Sequence, residues 1–244
     1  MLSHLIELRR RLLHTLFVFL IFFVLFFTYS GELFLFLVQP LIKNLPAQDS
    51  LIATYLTSPL FIPIQLAADS AMLLTAPFAL FHVWRFVSPG LYRHEQENVS
   101  WAIIISLTLF AVGVLFCFYL VLPFMLQFFA QAVPQGVRFL PDMAYAVDFI
   151  LRMLLIFGVC FQVPLLCLLL VRLQLLQVSS LKLIRPYVIV AAFIIGMLLT
   201  PPDVFSQIML ALPLCLLYEF GLLLAVFFQK KQDLRKIPRS RQRN

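Results

Sequence analysis

Charge is scarce in this sequence. Only 12% of its 244 residues are Asp, Glu, Lys or Arg, against 63% hydrophobic residues and a mean hydropathy of +1.01. A soluble globular domain carries about 25% charged residues, so that class is excluded and the chain reads as an integral membrane protein. A small-residue cleavage site is missing after the first apolar run, which is also too long for the core of a cleavable signal. The first helix is therefore expected to stay in the mature protein.

Motifs for bond-making chemistry are equally sparse. The four cysteines (Cys117, Cys160, Cys167, Cys215) form no C-x-x-C and read as small apolar core residues. A zinc protease motif starting at His94 needs a second histidine at 98, where Asn98 stands. There is no serine, histidine and acid arrangement and no glycine loop to cradle phosphate, and His4, His14, His82 and His94 map to helix ends or inner segments. No catalytic residue, metal or cofactor is implied, and the chain is not expected to be an enzyme. Internal repeats are also lacking, which counts against the alternative of a proton-coupled transporter of a small solute using Asp69 and Glu219.

What is present is long apolar runs. A hydrocarbon core of about 30 Å takes about 20 apolar residues per helix, and this ruler cuts the chain into six spans, at about 13–38, 66–87, 99–129, 148–171, 186–199 and 205–228. The expected fold is an all-α integral membrane protein, one six-helix domain over 1–228 with a basic tail over 229–244. Pro201 and Pro202 must end the fifth helix, leaving it about 14 residues, or about 21 Å, and too short for a normal bilayer without thinning or tilt. Asp203 and Ser206 offer oxygens to cap the sixth helix.

Basic residues set the orientation. The N-terminus, segments 85–98 and 172–185, and the tail hold 3, 2, 3 and 7 Lys or Arg, whereas the other connections hold only Lys43 and Arg138. The positive-inside rule puts both termini in the cytoplasm. The net charge of +7 is concentrated in that tail, which suits anionic membrane lipid rather than nucleic acid. Connections 39–65 and 130–147, rich in proline, are expected to form structured caps on the outer side.

Against this background the polar residues stand out. In SHLIELRRRLL and the histidine after it, His4, Glu7, Arg11 and His14 recur at helical steps apart from a leucine stripe, which predicts a short amphipathic helix on the inner membrane face. Glu7 either pairs locally with Arg10 or Arg11 or joins Glu95 and Glu97 of GLYRHEQEN in an anionic site for a cationic ligand, for which guanidinium is the best geometric match. Asp148 and Arg152, one turn apart, are expected to pair. Gln162 and Glu219 lie about ten residues deep in the fourth and sixth spans and are candidates for a shared polar site or a packing hydrogen bond.

The segments HLIELRRRLL, PLIKNLP, IATYLTSPLFIPI, TAPFALFHVWRFVSPGLYRHE, FGVCFQVP and RPYVIVAAFIIGMLLTPPDVFSQIMLALPLCLLYEFG closely resemble TatC, the receptor subunit of the twin-arginine protein translocase, from His4 to about Phe227. The resemblance implies a concave, glove-like bundle of six helices in the bacterial inner (plasma) membrane, with short last helices. It also implies recognition of twin-arginine signal peptides and, with the single-span partners TatA and TatB in a self-associating complex, transport of folded proteins using the proton-motive force. It marks Glu7 and Arg9, Phe86 and Glu95, with Glu97 as a possible helper, for signal-peptide binding. Pro40 and Asp203 are marked for translocation or structure, and the fifth and sixth helices for partner contacts. Three positions depart from the family pattern: Gln162 stands where many relatives have glutamate, Asp69 where a neutral residue is usual, and Glu97 where a basic residue is frequent.

Overall fold

The computed structural model describes residues 2–44, 51–87, 99–134, 140–173, 175–199 and 204–236. Among these the chain is helical, without strands beyond one isolated bridge between Ile52 and Asp142. Among the described residues, six segments are long and apolar enough to cross a membrane: Arg9–Thr28, Ser58–Arg85, Trp101–Gln131, Met143–Arg172, Val178–Leu199 and Gln207–Lys230. Packing divides the chain into two compact units, Met1–Gly158 and Val159–Asn244.

In the first unit, α1 (Leu2–Thr28) is one uninterrupted helix of 27 residues, about 40 Å long. Its SHLIELRRRLL segment is therefore not the separate interfacial helix expected; it forms the first turns of α1. Phenylalanines four apart stack along it, as in Phe19–Phe23 with ring centroids 6.3 Å apart. The helix ends at Thr28 rather than the expected 38. Gly31 weakens helix continuation here, and Glu32 lies where a first turn favours negative charge, so α2 (Ser30–Asn44) starts anew.

Helix α3 (Ser58–Val87) starts eight residues before the expected 66. Proline made this stretch look like loop. Pro59, however, occupies the first turn, where its missing N–H would be unpaired anyway. Helix α4 (Val99–Phe116) continues through a π-helical turn, Cys117–Val121, into α5 (Leu122–Gln131). The Leu122 N–H donates to the Cys117 carbonyl, and Pro123, which has no N–H, follows directly.

Helix α6 (Met143–Cys160) begins where Asp142 accepts the Ala144 N–H at 2.8 Å, an N-cap that moves the expected start from 148 to 143. The chain before α3 meets the chain before α6 there: Ile52 donates to the Pro141 carbonyl at 3.1 Å and Met143 to the Ile52 carbonyl at 2.9 Å. In this unit α1 packs chiefly on α3, which also packs on α4, and α2 packs on α5. A Cβ on Gly158 would lie 2.6 Å from the Phe110 ring, so any larger residue there requires that ring to move.

The second unit holds α7 (Val163–Arg172), α8 (Val178–Leu199) and α9 (Val204–Lys236), with α9 packed on both the others. Helix α7 restarts the fourth span after Phe161–Gln162, with Pro164 in its first turn. A Cβ on Gly221 would meet Pro164 Cα at 2.7 Å, which explains the glycine. Helix α8 has 22 residues, about 33 Å, and corrects the expected 14. Its first two turns carry Ser179, Ser180, Lys182 and Arg185, so an apolar ruler passes over them. The last two spans, 22 and 24 residues, are still shorter than the three before them, at 28, 31 and 30.

Candidate functional site

The first turns of α1 and the last turns of α3 enclose a cleft of about 440 Å³, lined by Glu7, Arg10, Arg11, His14, His82 and Arg85. Helical geometry brings these residues together, since 7, 10, 11 and 14 share one face of α1 and 82 and 85 share one face of α3. Arg11 is the link between the helices: it pairs with the Glu7 carboxylate one turn earlier and donates to the His82 carbonyl at 2.8 Å. The Arg11 side chain is 14% exposed and that of Glu7 45%, so the cation is committed to the fold while the carboxylate keeps an open side.

The cleft's histidines differ. His14 Nδ1 lies 2.6 Å from the Arg10 carbonyl, which fixes it as an N–H donor. The His82 ring stands edge-on to Phe78, with centroids 4.5 Å apart, and its Nε2 is buried without a partner among the described residues.

Arg9 is exposed but does not line the cleft. Phe86 is a helical residue of α3 next to Arg85. Glu95, Glu97 and Asp203 lie outside the described residues, as does the basic tail beyond Lys236. Pro40 is half-buried inside α2, not in the outer connection where it was expected.

In the second unit Glu219 pairs with Arg185 at 2.8 Å, joining α9 to α8, and both side chains are more than 40% exposed. Beside them the Tyr218 hydroxyl donates to the Leu181 carbonyl at 2.6 Å, and Gln207 donates to the Phe193 carbonyl at 2.8 Å. Gln162 is buried at the turn between α6 and α7. The Arg185 pair was not anticipated, because a contact 34 residues apart leaves no periodic trace.

Two polar groups mark the N-terminal end of α6. Asp148 pairs with Arg152 at 2.7 Å as expected and accepts from Gln65 at 3.3 Å, which gives Asp69, another neighbour of Gln65, a polar setting. Asp142 was overlooked by sequence reasoning. Besides capping α6 it accepts the Thr54 hydroxyl at 2.6 Å and the Thr54 N–H at 3.0 Å. Burial pushes its carboxyl up, but the hydrogen bonds from Thr54, Tyr145 and Ala144 outweigh burial and hold it below the ordinary range. An acid directly before an apolar run was the available signal.

Comparison with known proteins decides the family. A profile described as Sec-independent protein translocase protein (TatC) matches residues 3–213. The chain belongs to the TatC family. It is 43% identical to the Sec-independent protein translocase protein TatC of Haemophilus influenzae, over 96% of this chain and 91% of that one. It is 38% identical to the protein of the same name from Escherichia coli K12, over 95% and 90%. A crystal structure of the twin arginine translocase receptor TatC superposes with a TM-score of 0.84 at 32% identity, covering 93% of this chain and 99% of that one. This TatC-family chain is thus a multi-pass inner-membrane subunit of the multi-subunit twin-arginine translocase. The solute-transporter alternative finds no support among these relatives.

Proposed function

We propose that this subunit recognises signal peptides carrying two consecutive arginines at the cytoplasmic face and, with TatA- and TatB-type single-span partners, passes folded proteins across the membrane using the proton-motive force, without bond-making chemistry of its own. The observation that carries this is the Glu7 carboxylate: it lies at the membrane boundary of the first two spans, is already engaged by a guanidinium, and keeps an open side. A peptide arginine binds by sharing or displacing Arg11. Glu95 supplies the principal anionic seat and Glu97 assists, Phe86 packs against the peptide, and Arg9 orients the N-terminal turns. Both termini face the cytoplasm, in keeping with the basic inner segments. Pro40 and Asp203 shape the translocation scaffold, and Gln162 and Glu219 serve partner contacts within the membrane.

Binding of a fluorescent Arg-Arg signal peptide to the protein in nanodiscs tests this. A Lys-Lys peptide, or Glu95→Gln against the Arg-Arg peptide, is expected to bind at least about tenfold more weakly, since losing a charge-assisted pair costs about 2–5 kcal/mol. Equal affinity in all three pairings would leave the apolar part of the peptide as the ligand.

A further inference from the structure

Among the described residues, the cleft between α1 and α3 is lined by more cationic than anionic side chains. Three guanidiniums, from Arg10, Arg11 and Arg85, and two imidazoles surround one carboxylate, which Arg11 already occupies. Among the described residues neither Arg10 nor Arg85 has an ion-pair partner. His82, in the same lining, has Nε2 buried without a partner. Unpaired guanidiniums beside an unsatisfied imidazole nitrogen suit a tetrahedral oxyanion, because arginine's fork matches phosphate oxygens and each oxygen accepts more than one hydrogen bond.

Depth in the membrane points to the source of that oxyanion. The apolar span of α1 begins at Arg9 and that of α3 ends at Arg85, so the cleft lies where hydrocarbon gives way to headgroups. From Leu13 onward α1 exposes Leu13, Leu16 and Phe17, and α3 exposes Val83 two residues from Arg85. A ligand held by the cleft therefore has an apolar surface next to it along the membrane.

We propose that this cleft binds the phosphate of an anionic phospholipid, held by Arg10 and Arg85 with His82 as a further partner, while its acyl chains lie over the Leu13, Leu16 and Phe17 face of α1. The site differs from the twin-arginine site in ligand charge. With lipid alone in the cleft, Arg11 contributes field while keeping Glu7 and the His82 carbonyl, and only a peptide arginine competes with it for Glu7.

The test uses the full chain in phosphatidylcholine nanodiscs, titrated with fluorescent phosphatidylglycerol. A charge near the membrane surface contributes about fivefold to anionic-lipid binding, so Arg10→Gln with Arg85→Gln is expected to weaken it about thirtyfold. Arg10→Lys with Arg85→Lys keeps the charge and is expected to retain most of the binding. Soluble inorganic phosphate is expected not to displace the lipid, and Glu95→Gln with Glu97→Gln to leave lipid affinity unchanged. The proposal is overturned by equal affinity of wild type and the Gln variant, by displacement with free phosphate, or by a comparable rise when Glu95 and Glu97 are neutralised, which would mean that those acids occupy the arginines. Should the Gln variant not fold, a photoreactive acyl-chain phosphatidylglycerol decides on wild type: crosslinks at Leu13, Leu16 or Phe17 support the site, and crosslinks confined to other helices refute it.

Discussion

Glu7 and Glu219 each meet an arginine, but the two pairs do different work. Glu7 pairs with Arg11 one turn away on the same helix, and the arginine, not the acid, reaches the neighbouring helix through the His82 carbonyl. Glu219 reaches Arg185 across two helices, so the ion pair itself joins α8 to α9. Removing the acid from the first pair leaves the interhelical bond standing. Removing either member of the second breaks it and leaves an unmatched charge within a membrane span.

The largest effect is therefore expected at the second pair. Arg185→Leu should lower stability by about 2–3 kcal/mol, the cost of an unmatched charge at membrane depth, read by thermal unfolding in detergent. Adding Glu219→Leu should recover most of that loss, because a matched apolar pair is often no worse than an ion pair; a double variant as unstable as the single would show that the two residues are not coupled. Next comes Arg11→Leu, which deprives the His82 carbonyl of its charged donor and should cost about 1.5–3 kcal/mol in the same assay.

Asp142 sharpens the contrast, since its partners are neutral donors rather than a cation. Asp142→Asn keeps a capping oxygen but turns the charge-assisted bonds from Thr54 and Ala144 into neutral ones, and should cost about 1 kcal/mol. Because the folded carboxyl lies below its ordinary range, its contribution is present above the unfolded value of about 3.9 and is lost as pH falls through the lower folded value. The wild type should lose stability on that acid limb and the Asn variant should not. Smallest is Glu7→Gln, a partly exposed i,i+4 pair, where about 0.3–0.5 kcal/mol is expected. A loss as large as that of Arg11→Leu would put the acid, not the arginine, at the centre of the α1–α3 contact.

The six spans were legible in the sequence because lipid imposes one length scale on apolar runs. Helix ends were less so. The first two turns of α8 carry Lys182 and Arg185, and α3 starts at Ser58–Pro59; polar or proline-containing turns register as loop in a hydropathy ruler although their backbone is helical. At the candidate site, the spacing of Glu7, Arg11 and His14 betrayed one helical face and the local Glu7 pairing. That this face meets His82 and Arg85, 71 residues on from Arg11 in the case of His82, depends on tertiary packing and had no local signature. The Arg185–Glu219 pair was hidden for the same reason.

The π-helical turn at Cys117–Val121 has a consequence for length variation in the third span. A turn closed by a bond from residue 122 back to 117 holds one residue more than a regular α-helical turn. The span is thus an α-helix with a surplus residue stored at one place. Each residue of an α-helix advances the side chains by about 100°, so a deletion elsewhere in α4 or α5 would rotate one half of the packing face away from its neighbours. A single deletion within Cys117–Val121 would instead restore a regular helix and leave Phe110 and Met125 on the faces they now occupy, so this is where the span can shorten by one residue and keep its register.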